Sequence, residues 1–173
     1  MSLPSILSSV GLLDWPTALL GVRRGWMTPA DVCDLAVAKI VDEEAVIDIE
    51  LAELASAGAL PLADIEDRLV ALAERCPVVE EETAERRWLL ASLIDVDNTD
   101  LGEEAMLARL QDIYAEFGFP DELRYVSPYN LTFEEWVSEP QVGSVTSSPI
   151  RWFKRSLREL RASLVAAPGA EHK

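Results

Sequence analysis

The stretch Asp95-Val-Asp-Asn-Thr-Asp100 sets oxygen-bearing side chains at alternate positions, the arrangement with which a loop can wrap one hard cation. A calcium loop of that type needs Gly at its sixth position and a bidentate Glu at its twelfth. Those positions hold Asp100 and Met106, so the stretch reads as an Asx-rich turn linking two helices, and no metal is expected. Nucleophilic chemistry is no better supplied. Cys33 and Cys76 lack Cys-x-x-Cys spacing and neither has a histidine beside it to serve as its base, and both are expected as reduced, buried thiols. The single histidine, His172, stands one residue from the end, so a Ser-His or Cys-His pair would need the tail to supply its base. The pairs Glu81-Glu82, Glu103-Glu104 and Glu134-Glu135 offer carboxylates, yet an acid–base hydrolase needs two held in different environments, and nothing here singles out two. Gly11, Gly21, Gly25 and Gly102 stand singly and form no phosphate-cradling loop. The chain is therefore expected to be no enzyme, with no catalytic residue and no cofactor. A carboxylate-based hydrolase or metal-dependent enzyme is the alternative.

Recognition chemistry is better represented. The segment "YAEFGFPDELRYVSPYN", residues 114–130, crowds aromatics, prolines and acids into a stretch without helical period. Just beyond it, Trp136 stands among Glu134, Glu135 and Glu139, and an aromatic flanked by acids is how interface hot spots are built against basic partners. Phe117 and Phe119 are expected to finish the core, and residues 121–139 to be exposed. The candidate partner-binding residues are Asp121, Glu122, Tyr125, Tyr129, Glu134, Glu135, Trp136 and Glu139. Trp15, Trp26, Trp88 and Trp152 are expected as core or half-buried anchors.

The elements that must carry these residues are helices. In "WMTPADVCDLAVAKIV", Thr28 can cap, Pro29 suits the first helical position, Asp31 favours the positive helix end, and Val32, Leu35, Ala36 and Ile40 share one stripe. Upstream, Asp14 caps a shorter helix that buries Leu19, Leu20 and Val22 and ends near Gly21 or Gly25. Downstream, Val46, Ile47, Leu51 and Leu54 keep helical spacing, although the β-branched cluster through Ile49 leaves a strand open. Ile65, Leu69, Leu72 and Cys76 share a face that stops before Pro77. Further stripes follow through Trp88, Leu89 and Leu93, and then through Met106, Leu107, Leu110, Ile113, Tyr114 and Phe117. The last helix sets Phe153, Leu157, Leu160 and Leu164 opposite a basic face of Arg151, Lys154, Arg155, Arg158 and Arg161, and its aliphatic face favours packing of the helix on the protein's own body over binding of phosphate or RNA. The fold class is all-α: a single-domain array of about seven to nine helices over residues 1–167, with an irregular aromatic and acidic region before the C-terminal helix and a disordered tail at 168–173.

At 173 residues one domain can bury roughly 70% of its unfolded surface unaided. A formal charge of −16 repels nucleic acid and anionic membrane and steers basic partners over about a Debye length. No basic export signal and no apolar run of spanning length is present, so a cytoplasmic location and no membrane contact are expected. The oligomeric state is open.

The order of "LLDWPTALLGVRRGWMTPADVCDLA", "RRWLLASLI" and "LQDIYAEFGFPDELRYVSPYN" resembles the uncharacterised bacterial DUF2247 family over most of the chain. That family brings no catalytic residue to carry over. The resemblance implies a bacterial context, and small acidic families of this kind look like immunity proteins of polymorphic toxin systems. The expected partner is then a basic protein, a cognate nuclease-like toxin whose cleft the acids of 95–139 would mask. A helical adaptor in a larger bacterial complex is a further alternative, and it predicts an exposed apolar patch.

Overall fold

Helix boundaries in a computed structural model of the chain follow the capping residues. The structure describes residues 1–42, 49–56, 60–124 and 149–165. Among them are eight α-helices, one 3-10 turn and no strand, the all-α class expected. They are α1 (Leu3–Ser9), α2 (Trp15–Arg23), α3 (Pro29–Asp42), α4 (Ile49–Ala55), α5 (Leu62–Ala73), α6 (Glu81–Asn98), α7 (Glu103–Glu116) and α8 (Pro149–Val165), with the 3-10 turn at Asp121–Leu123 between α7 and α8.

The best-marked start is that of α3. The Asp31 backbone N–H donates to Thr28 Oγ1 at 3.3 Å, while the Thr28 N–H and hydroxyl donate to Asp31 Oδ2 at 2.8 and 2.6 Å. This is a capping box with Asp in place of the usual Glu, contributing about 1 kcal/mol relative to an uncapped end. Asp14 caps α2 in the same way, accepting from the Thr17 N–H at 2.9 Å. At the other end, Gly25 sits at φ +73° and donates to Val22 O, and Trp26 N donates to Gly21 O at 2.8 Å. These two bonds form a Schellman stop, which needs a left-handed residue that glycine supplies without strain.

Contacts divide the chain into two compact units, Met1–Trp88 and Leu89–Lys173. In the first, α2 packs on α5, α3 on α4, and α4 on α5. Ile6, Leu7, Ala18, Val32, Leu54, Ile65 and Leu69 are all at 1% exposure or less and form its core with Trp88. Trp88 donates its Nε1–H to Thr17 O at 2.9 Å, and its ring lies 5.8 Å from that of Trp26. Beside it, Arg87 Nη1 donates to Asp14 Oδ2 at 2.5 Å and to Thr17 Oγ1 at 2.7 Å. One carboxylate thus caps α2 with one oxygen and holds Arg87 with the other.

In the second unit Leu89, Leu90, Leu93, Leu110, Ile113, Leu123, Phe153 and Leu160 are buried. All four apolar positions expected on the last helix, Phe153, Leu157, Leu160 and Leu164, are buried.

Several local expectations are corrected. Asp95 to Asn98 do not form a linking turn; they are the final turn of α6, drawn on because Val96 between them is 2% exposed. Phe117 and Phe119 do not finish the core, being half-buried and 63% exposed, and Leu123, in the stretch expected to be exposed, is buried instead. Leu19, Cys33 and Cys76 are half-buried where full burial was expected. The helix before Pro77 stops ahead of it as expected, but it ends at Ala73, so Cys76 lies beyond the helix that was expected to carry it. Helix α4 claims Ile49, while Val46 and Ile47 lie outside the described residues, as do the expected tail and His172.

Candidate functional site

Two of the eight candidate partner-binding residues, Asp121 and Glu122, fall within the described residues. Tyr125, Tyr129, Glu134, Glu135, Trp136 and Glu139 lie outside them.

The approach to Asp121 is set by the end of α7. Gly118 N donates to Ala115 O at 3.2 Å and Phe119 N to Tyr114 O at 2.8 Å, a second Schellman stop, and Gly118 lies at φ +68°. Phe119 follows at φ +65°, a left-handed conformation rare for a bulky residue. This reversal carries its ring out of the core to meet Tyr114 edge-on, with centroids 5.1 Å apart. Pro120, at φ −64° and ψ 141°, then starts the 3-10 turn. Leu123, 1% exposed, pins that turn to the unit, leaving Asp121 exposed and Glu122 half-buried.

The turn faces α8. Asp121 and Glu122 line a recess of about 140 Å3 with Trp152, Arg155, Ser156 and Glu159. Arg155 Nε lies 2.8 Å from Glu159 Oε1, and its guanidinium carbon sits 5.4 Å from the Trp152 ring centroid. Among these lining residues three carboxylates face one guanidinium, so the recess is net acidic. Helix α7 extends the same charge, burying Leu110 and Ile113 while exposing Glu103, Glu104, Asp112 and Glu116, with Arg109 among them.

The basic residues of α8 stay exposed, while its aliphatic face is the buried one. Lys154 Nζ lies 3.1 Å from Asp97 Oδ1 at the end of α6. This also shows what became of the calcium-like stretch. Successive helical residues point about 100° apart, so Asp95 and Asp97 diverge and cannot share a cation. Among the described residues no group of three His, Cys, Asp or Glu side chains is placed to hold a metal. No helix among them is long and apolar enough to cross a membrane.

One feature of the first unit escaped the sequence reading. A groove of about 400 Å3 runs between α2 and α5, floored by Pro16, Leu19, Leu20 and Val70 and bordered by the chain from Cys76 to Val79. The only sequence signal was Val78-Val79 directly after Pro77, an apolar pair that no helical stripe had claimed.

Helices presenting carboxylates around a small acidic recess place this chain among all-helical acidic proteins. Residues 6–140 match the family described as an uncharacterized protein conserved in bacteria, DUF2247, and the chain belongs to that family. No curated protein and no solved structure matches it.

Proposed function

We propose that this chain is a binding protein of immunity type, which neutralises a basic, nuclease-like toxin by covering its active cleft. The observation that carries the reading is the acidic surface from α7 through Asp121 and Glu122 to the recess against α8, on a chain of net charge −16. The aromatic and acidic stretch with Tyr125, Tyr129, Glu134, Glu135, Trp136 and Glu139 follows directly in the chain and supplies anchors for the same partner.

An acidic face opposite a basic cleft acts mainly on encounter. Steering lifts association above the roughly 10⁵ to 10⁶ M⁻¹s⁻¹ of uncharged pairs, and salt removes that gain. The partner is identified by tagged pull-down from the native bacterium at low and moderate salt, with mass spectrometry. Its association rate is then followed by stopped flow. The on-rate is expected to fall about tenfold between low and moderate salt, and about as much again for Asp121→Lys with Glu122→Lys. An on-rate indifferent to salt would overturn the proposal.

A second reading, the helical adaptor, is favoured by the apolar groove of the first unit, since an adaptor docks through apolar surface.

A further inference from the structure

The groove between α2 and α5 is lined by Leu19, Leu20, Val70, Ala73, Val78 and Val79 among others, and its volume is within the usual range of binding sites, roughly 300–1,000 Å3. Three observations say what it fits.

The first is the lip. Val78 is 91% exposed, a branched apolar side chain standing in water beside an apolar floor. Isolated exposed aliphatics are ordinary, but one continuous with an open apolar groove enlarges a patch of the kind that marks interaction sites.

The second is the backbone. Residues 77–80 between α5 and α6 belong to no helix or turn. Among the described residues, the N–H and C=O groups of Val78 and Val79 make no hydrogen bond. A small apolar ligand leaves such groups unused, whereas an extended peptide laid alongside can pair with them while its alternate side chains enter the groove.

The third is charge. Glu74 and Glu81 line the groove, and Glu80 and Glu82 flank Glu81 in the chain, all four exposed. The cations nearby are already engaged: Arg23 Nε lies 2.6 Å from Glu66, and Arg24 Nη2 lies 3.4 Å from Glu85 and 3.6 Å from Glu81. Glu74, Glu80 and Glu82 make no ion pair among the described residues. The rim therefore holds surplus negative charge.

We propose that this groove docks an extended segment of a partner protein, with aliphatic side chains in the groove and lysine or arginine at its flanks facing Glu74 and Glu81. The site is built from residues of the first unit alone, and the proposal does not depend on the toxin-binding reading.

The test is selection of a random peptide display library against the intact chain, followed by fluorescence-polarisation titration of the recovered sequences as synthetic peptides. Peptides rich in Val, Ile and Leu with flanking Lys or Arg are expected. Glu74→Lys with Glu81→Lys should weaken them about tenfold, and Val78→Asp likewise. These positions are exposed, so the substitutions leave the core untouched. The control is Glu103→Lys with Glu104→Lys on α7, which should leave affinity unchanged. Recovery of no peptide, of peptides without basic flanks, or equal weakening by the α7 reversal would overturn the proposal; the last would reduce it to general attraction to an acidic protein. Uptake of the apolar dye 1-anilinonaphthalene-8-sulfonate that no selected peptide displaces would also overturn it, making the groove a small-molecule pocket.

Discussion

Trp88→Ala is expected to lower the free energy of unfolding by about 3–5 kcal/mol, read as a drop in the urea midpoint. The indole is fully buried, packs against Trp26 and bonds Thr17 O through Nε1. Its removal leaves a cavity where the α2 backbone now lies against a ring. The companion change tests that fit from the other side. A side chain at Gly21 would place its Cβ 2.2 Å from Trp88 Cζ2 and 2.8 Å from Cε2. In an exposed helix Gly→Ala stabilises by up to about 1 kcal/mol. At Gly21 the sign is expected to reverse, to a loss of about 1–3 kcal/mol, because a buried indole has nowhere to swing. Combining Gly21→Ala with Trp88→Leu should then cost less than the two losses added. A urea midpoint raised by Gly21→Ala would show that the ring gives way freely, and the account of the first unit's packing would fail with it.

The second large effect is expected at Arg87. Its side chain is 16% exposed and that of Asp14 37%. This pair is neither a surface bridge worth a few tenths nor a fully dry one, and Arg87→Ala should cost about 2 kcal/mol. Asp14 has two roles that substitution can separate. Asp14→Asn keeps an oxygen for the Thr17 N–H and loses mainly the ion pair, whereas Asp14→Ala removes the cap as well, worth about 1 kcal/mol more. Arg87→Lys keeps the charge, and because one nitrogen, Nη1, makes both bonds, an ammonium there should recover part of the loss, the rest going with the different reach and hydration of the lysine head. A double-mutant cycle between the two positions checks this. Coupling near zero would mean that Arg87 contributes through its aliphatic stem and its bond to Thr17, not through Asp14.

The parts of the fold legible in the sequence are those set by local chemistry. Thr28, Pro29 and Asp31 announce α3, Asp14 announces α2, and the period of Phe153, Leu157, Leu160 and Leu164 gives the buried face of α8. Where local and long-range terms compete, the pattern misleads. Polar residues after Asp95 read as a turn, but the burial of Val96 holds the helix together for another turn. Phe119 reads as core by type, yet the left-handed backbone at Gly118 and Phe119 turns it outward, and no period reports a reversed backbone. Asp121 and Glu122 are recognisable as surface from composition. That Trp152 and Arg155, some thirty residues later, complete their recess is a tertiary fact that no spacing encodes. The groove was hidden for a related reason: a stripe tells which residues seek cover, and only the packed structure tells which of them, such as Val78, are left without it.

The pairing of Trp26 with Trp88 gives the first unit an optical signature of its own. Two indoles with centroids 5.8 Å apart and planes inclined at 43° are neither parallel nor perpendicular. Their excited states can therefore mix into a chiral couplet. The signal exists only while α2, the turn after it and the start of α6 hold both rings in register. The protein thus carries an unlabelled reporter of tertiary order in its N-terminal half.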